Sequence, residues 1–338
     1  SCMADDHPGA APETFAALRL PHIRRYILAL FTLTLGVQIQ GTVVGWQIYD
    51  LTRDPLALGL VGLAEALPAI SMSLFAGHVA DTHDRRRVAI LALSVLVGCS
   101  LALWWLAHPA PIGGTPLTSP SRVRAIYAVI VVSGLARAFL QPARQALSAE
   151  LVPRALYQNA VTWRSGSWQL AAVLGPALGG VLYAIGGITL SYAIDAVLMA
   201  FAVLVLISVR HTSPVRARND EPMRVAILGG LRFVLADPLL LSALSLDLFS
   251  VLFGGMCIRD SSLMLQMRTP EALLGRVSSV NQIFIGSSNE IGAFESGLTA
   301  RWWGAVTAVV VGGVGTLGVA ATVAWRVPSL RRLRQLKA

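Results

Sequence analysis

Charge is what this sequence has least of. Only 13% of its 338 residues are Asp, Glu, Lys or Arg, about half the roughly 25% of an ordinary soluble domain. With 55% hydrophobic residues, a water-soluble protein is excluded. Cysteine is scarce too: Cys2, Cys99 and Cys257 share no recognisable spacing, so neither a disulfide framework nor a thiolate metal site is expected. The histidines His22, His78, His83 and His108 fall at loop positions without ligand spacing, and no metal is expected. A Gly-rich phosphate loop, a nucleophile elbow and a metal-ligand helix are all missing. Their absence argues against an enzyme and against ATP-driven chemistry within the chain, and no cofactor is implied. Residues 1–25 hold no apolar core, so no cleavable secretory signal is expected.

What is present is a series of apolar runs of about 20 residues, the length that crosses a bilayer. Candidate spans are 26–49, 56–77, 88–107, 125–142, 166–186, 188–209, 239–255, 277–299 and 302–326. Only helices or closed barrels satisfy a backbone in lipid, and short alternating strands are not seen, so the fold class is all-α, a polytopic membrane helix bundle. The net charge of +9 would suggest a nucleic-acid partner in a soluble chain. Here the arginines cluster in short loops, the pattern of cytoplasmic loops, and nucleic acid is excluded. Arg19, Arg24 and Arg25 precede the first span; Arg85, Arg86 and Arg87 follow the second; Arg144, Arg154 and Arg164 follow the fourth. Arg122 and Arg124 oppose the rule in one loop. The chain divides into a six-helix half over 1–209, a basic cytoplasmic loop over 210–238 and a second half from 239, with a basic tail over 327–338.

The second half breaks the charge rule. Nine spans place the C-terminus outside, yet the tail carries Arg326, Arg331, Arg332, Arg334 and Lys337. An internal echo addresses the conflict: Val152-Pro153-Arg154-Ala155-Leu156 recurs as Thr269-Pro270-Glu271-Ala272-Leu273, an offset of 270 − 153 = 117. The first and seventh spans start at 26 and 239, an offset of 213. Repeated halves would then differ by about 95 residues, roughly three helices with their loops. Restoring three spans repairs the parity, and Met256-Cys257-Ile258-Arg259-Asp260-Ser261 is read as a non-native junction at the break. The complete protein is expected to have about 430 residues.

Three motifs carry a resemblance. Gly77-His78-Val79-Ala80-Asp81-Thr82-His83-Asp84-Arg85-Arg86-Arg87 joins the second and third spans, with a glycine for close helix approach, acids to pair or cap, and arginines for the headgroup region. It resembles the loop signature of the major facilitator superfamily, departing at Thr82 and Asp84. Gly166, Gly175, Pro176, Gly179 and Gly180 match the fifth-helix pattern of antiporters in that superfamily. Segments 275–281 and 288–297 resemble the penultimate helix of its enterobactin-exporter-like, transmembrane secretion effector branch. The resemblance implies two six-helix halves rocking about a midplane cavity, a latch at the 77–87 loop, and export rather than uptake.

Ionisable groups inside spans cost about 2.5–3.5 kcal/mol each on insertion scales, so they should face a partner or a cavity. Glu65, Arg137, Asp195, Asp247, Glu290 and Glu295 qualify by position. Arg137 lies in the fourth span, where the family often places a proton-coupling arginine. Glu290 and Glu295 are five apart, about 140° around a helix, and do not share a face. Gln40 and Gln47 do share one, with Gly36 a turn earlier, which suits either a cavity wall or hydrogen bonding within the bundle. Trp104, Trp105, Trp302, Trp303 and Trp325 fit an interface belt. The expected function is secondary transport in a bacterial inner membrane, with both termini cytoplasmic. A proton gradient would drive efflux of a siderophore-like or drug-like small molecule. The bilayer and the substrate are the expected partners, and a monomer is expected. Uptake or lipid flipping, and a non-transporting scaffold or sensor, are the alternatives.

Overall fold

A computed structural model describes residues 15–108, 119–153, 156–209, 236, 292 and 294–326. Among the described residues every regular element is a helix. A 3-10 turn at Ala17–Arg19 precedes α1 (Pro21–Thr52), α2 (Pro55–Thr82), α3 (Arg85–Ala107), α4 (Ser119–Leu151) and α5 (Tyr157–Ser208). Then come α6 (294–303) and α7 (Ala305–Arg326). The central loop, the seventh span, the 256–261 junction and the tail after 326 lie outside the described residues, Ala236 apart.

Local chemistry sets the boundaries. Asp54 caps α2: its Oδ1 accepts from Leu56 N at 3.0 Å, with Pro55 beginning the helix, where a missing N–H does no harm. Asp84 does the same for α3, accepting from Arg86 N at 2.9 Å and Arg87 N at 3.3 Å. Within α5 the backbone leaves helical geometry only at Gly187, with φ +66°. A side chain rarely adopts that conformation, and 187 is the residue between the fifth and sixth apolar runs. Five described helices are long and apolar enough to cross a membrane. The stretch Asn159–Ser208, at 50 residues, holds two crossings of about 20. The helices overrun the apolar windows because hydropathy marks only the lipid-crossing part, while the hydrogen-bonded spiral continues into polar turns.

The chain forms two compact units. One comprises Ser1–Val43, Asp84–Ala107 and Ala143–Pro214; the other comprises Val44–His83, His108–Pro142 and Val215–Ala338. In the first, Ala17, Ile23, Ile27, Val152 and Ala160 form a buried cluster flanked by Leu20, Leu156 and Trp163. Asn159 accepts from Ala17 N at 3.1 Å, fixing the turn before α1 against the start of α5. In the second, Tyr127 Oη donates to Ala57 O at 2.7 Å, and Phe75 meets Phe139 edge-on at 6.1 Å. Val173 and Ile185 of α5 and Val306 and Val309 of α7 are exposed, as lipid-facing side chains should be.

Candidate functional site

Glu65 of α2 and Arg137 of α4 form an ion pair, with side chains 17% and 23% exposed. A backbone approach brings them together: a Cβ on Gly134 would collide with the Glu65 carbonyl oxygen, so only glycine allows α2 and α4 this close one turn before Arg137. Each charge lies near the middle of its apolar stretch, Pro55–Ser73 for Glu65 and Pro120–Ser148 for Arg137. Alone, each would be expensive there; paired, each offsets the other's desolvation. Both helices carry an internal proline nearby, Pro68 and Pro142. Proline has no N–H for the carbonyl four residues earlier, which relieves Ala64 and Ala138, the neighbours of Glu65 and Arg137, of their usual helical partners.

The same face of α4 carries more polar capacity. Ser133 Oγ, Arg137 Nε and Gln141 Oε1 are buried without a hydrogen-bond partner among the described residues. They recur at intervals of four, so they share one face. Buried polar atoms are normally satisfied, and this stripe presents three that no described residue satisfies. Sequence reading missed Ser133 and Gln141 because neither residue type is costly enough in a span to draw notice.

Asp195 lies in the other unit, in the second crossing of α5. It is fully buried, as are Ser191 and Tyr192. A Cβ on Gly36 of α1 would come 3.0 Å from its Oδ1, so glycine at 36 makes room for the carboxylate. Gln40, one turn on, is buried and donates through Nε2 to Ser100 Oγ of α3 at 3.3 Å. It thus takes part in bundle hydrogen bonding. Gln47 is buried as well. Glu295 is half-buried on α6, and Asp247 and Glu290 lie outside the described residues.

In the 77–87 loop, Gly77 sits on α2, while the Asp81 side chain lies outside the described set. Asp84 caps α3 and pairs with the exposed Arg87 at 3.4 Å. Arg85 turns inward to Glu150 near the end of α4, at 2.6 Å, both largely buried. Glu150 was not singled out by sequence; its place just past the fourth apolar run was the available signal. Arg86 Nη2 donates to Ile207 O and Arg25 Nη1 to Ser208 O at 3.1 Å. Two arginines from α1 and α3 thus satisfy the last carbonyls of α5, where a helix end favours positive charge.

The fifth-helix glycines separate into two groups. A Cβ on Gly175 would collide with Gln38, and one on Gly179 would approach Ile39 and Thr42 at 3.3–3.4 Å, so these two let α5 lie against α1. Nothing lies within 4 Å of such an atom at Gly166 or Gly180. Pro176 is inside α5.

Comparison with known proteins agrees with this architecture. The profile of the transmembrane secretion effector family matches residues 12–258. The enterobactin exporter EntS of Shigella flexneri is 28% identical over 221 residues, covering 65% of this chain and 51% of that protein. EntS of Shigella boydii is 29% identical over 222 residues, covering 65% and 50%. The chain thus spans about half the length of the curated relatives it matches. An all-helical, multi-pass membrane chain with this match belongs to the transmembrane secretion effector family of the major facilitator superfamily.

Proposed function

We propose that the protein is a secondary active exporter that moves a small organic molecule, siderophore-like or drug-like, out of a bacterial cell across the inner membrane in exchange for protons, with both termini cytoplasmic. One observation carries the reading: the Glu65–Arg137 pair set between α2 and α4 inside apolar spans. A proton taken up by Glu65 cancels the charge that holds Arg137. Arg137 then turns to substrate or water along the Ser133–Gln141 face, and the helices are free to bend beside Pro68 and Pro142. Return of Arg137 to Glu65 expels the proton. Two features support the outward direction: the Gly175-Pro176-x-x-Gly179-Gly180 pattern, and relatives that are enterobactin exporters. The bilayer and a small-molecule substrate are the partners, with a monomer as the working unit and the proton gradient in place of any cofactor.

The test uses everted vesicles carrying the gene with its length restored across 256–261. Adding enterobactin or a drug panel should release a preformed acid-inside gradient for one compound, and Glu65→Gln should abolish that release. Substrate movement that leaves the proton gradient untouched would contradict the reading. A non-transporting scaffold is the second reading, favoured by the family match ending at residue 258, inside the 256–261 segment. It predicts no substrate movement even at restored length.

A further inference from the structure

Asp195 is a buried titratable group for which the Glu65–Arg137 exchange has no use. It lies within the unit made of Ser1–Val43, Asp84–Ala107 and Ala143–Pro214. Its side chain is fully buried, and Ser191 and Tyr192 of α5, Ser100 of α3 and Gln40 of α1 are buried too. A Cβ on Gly36 would lie 3.0 Å from Asp195 Oδ1 and 3.4 Å from Met199 Cε, so glycine leaves room on α1 for both. Gln40, one turn further along α1, is tied to Ser100 of α3 at 3.3 Å. Position 36 thus lies against 195, and Arg25 reaches Ser208 O, so α1 and the second crossing of α5 run antiparallel.

The chemistry of the carboxyl group follows from where it is held. Ionised, it offers acceptors only; protonated, it also offers one O–H donor. The α1 carbonyls beside Gly36 keep a second lone pair that can accept such a bond. The crossings 27–48, 88–107, 166–186 and 188–207 contain no Lys, Arg or His, and their titratable groups besides Asp195 are Cys99, Tyr183 and Tyr192. Tyr192 interacts electrostatically with Asp195. A neutral acid gives up less hydration on burial than a carboxylate does.

We propose that Asp195 is a proton-binding site separate from the Glu65–Arg137 pair, and that its bound proton holds the second crossing of α5 against α1 at Gly36. Loss of the proton turns a donor into a charge enclosed by apolar side chains, and the joint loosens. The folded chain keeps a proton that Asp195 of the unfolded chain, in water, has released at neutral pH. Its contribution to stability is complete at acid pH, where both states hold the proton, and is lost as pH rises through the titration of the folded site. The site is measured without transport and does not depend on the exporter reading.

The test compares the full chain in detergent with Asp195→Asn, which keeps the shape and cannot ionise, both made with carbon-13 aspartate. The infrared difference between them at neutral pH should contain the carbonyl stretch of a protonated carboxyl, and alkaline buffer should remove it. Carboxylate bands alone at neutral pH would overturn the proposal. Thermal unfolding is the second readout: the melting temperature of the parent should fall relative to that of Asp195→Asn as pH is raised from acid to alkaline. A difference that stays constant with pH would also overturn it. Gly36→Ala crowds the carboxyl and should lower the melting temperature of the parent, but far less beside Asp195→Ala, where the room is restored. Equal losses in the two backgrounds would remove the contact on which the site is built. If Asp195→Asn fails to insert, Asp195→Leu, of similar size and apolar, serves as the reference for both readouts.

Discussion

Two arginine–glutamate pairs use α4, and they differ in setting. Arg85–Glu150 joins the start of α3 to the end of α4, where Arg85 follows the capping Asp84 and its neighbour Arg86 satisfies the last carbonyls of α5. Arg137–Glu65 joins the middles of α4 and α2, beside a proline in each helix and with Arg137 Nε unmatched among the described residues. The first pair belongs to a network at helix ends, in which several side chains and carbonyls hold one another. The second is the only charge pairing its members have among the described residues, and each of its helices carries an internal proline nearby. The same two residue types thus stand in different settings, and on the proposed mechanism only the second pair exchanges partners.

The sharpest way to break this contrast is Arg137→Ala. It leaves Glu65 without its counter-charge in an apolar span, and truncating one member of a buried pair costs about 3–5 kcal/mol. Partial exposure puts the effect at the low end. Thermal unfolding in detergent should show a large loss, with most of the stability returning in Arg137→Ala/Glu65→Gln while proton coupling stays absent. Next is Glu150→Gln, expected to remove about 1.5–3 kcal/mol from a charged hydrogen bond and to slow transport without uncoupling it. A measured change in proton stoichiometry there would erase the distinction between the pairs. Gly134→Ala should cost about 1–3 kcal/mol by overpacking against the Glu65 carbonyl and lower coupling with it. Gly175→Ala should cost a similar amount with coupling intact, and Gly180→Ala should be silent in both assays. The smallest measurable loss belongs to Asp84→Ala, where loss of the α3 cap costs about 1 kcal/mol, seen as a small drop in melting temperature.

Much of the fold was legible because lipid permits so few structures. Hydropathy marked six apolar runs in the first 209 residues, and the residue it left between the fifth and sixth, Gly187, is where α5 breaks. The glycine motif was legible as a motif but not in its division of labour. Spacing does not reveal that Gly175 and Gly179 face α1 while Gly166 and Gly180 face open space. Glu65 and Arg137 were each conspicuous as charges in spans. Their pairing was not, since it depends on Gly134 letting two backbones approach. Arg301 and Asp54 drew no notice because loop charges are ordinary in sequence, and only the structure brings them within 3.0 Å of each other.

The central claim, that Glu65 and Arg137 exchange a proton for substrate, is tested most directly by proton flux per substrate in everted vesicles. The account predicts a fixed stoichiometry in the parent. In Glu65→Gln it predicts downhill substrate movement with no accompanying protons. An unaltered stoichiometry in Glu65→Gln would contradict it.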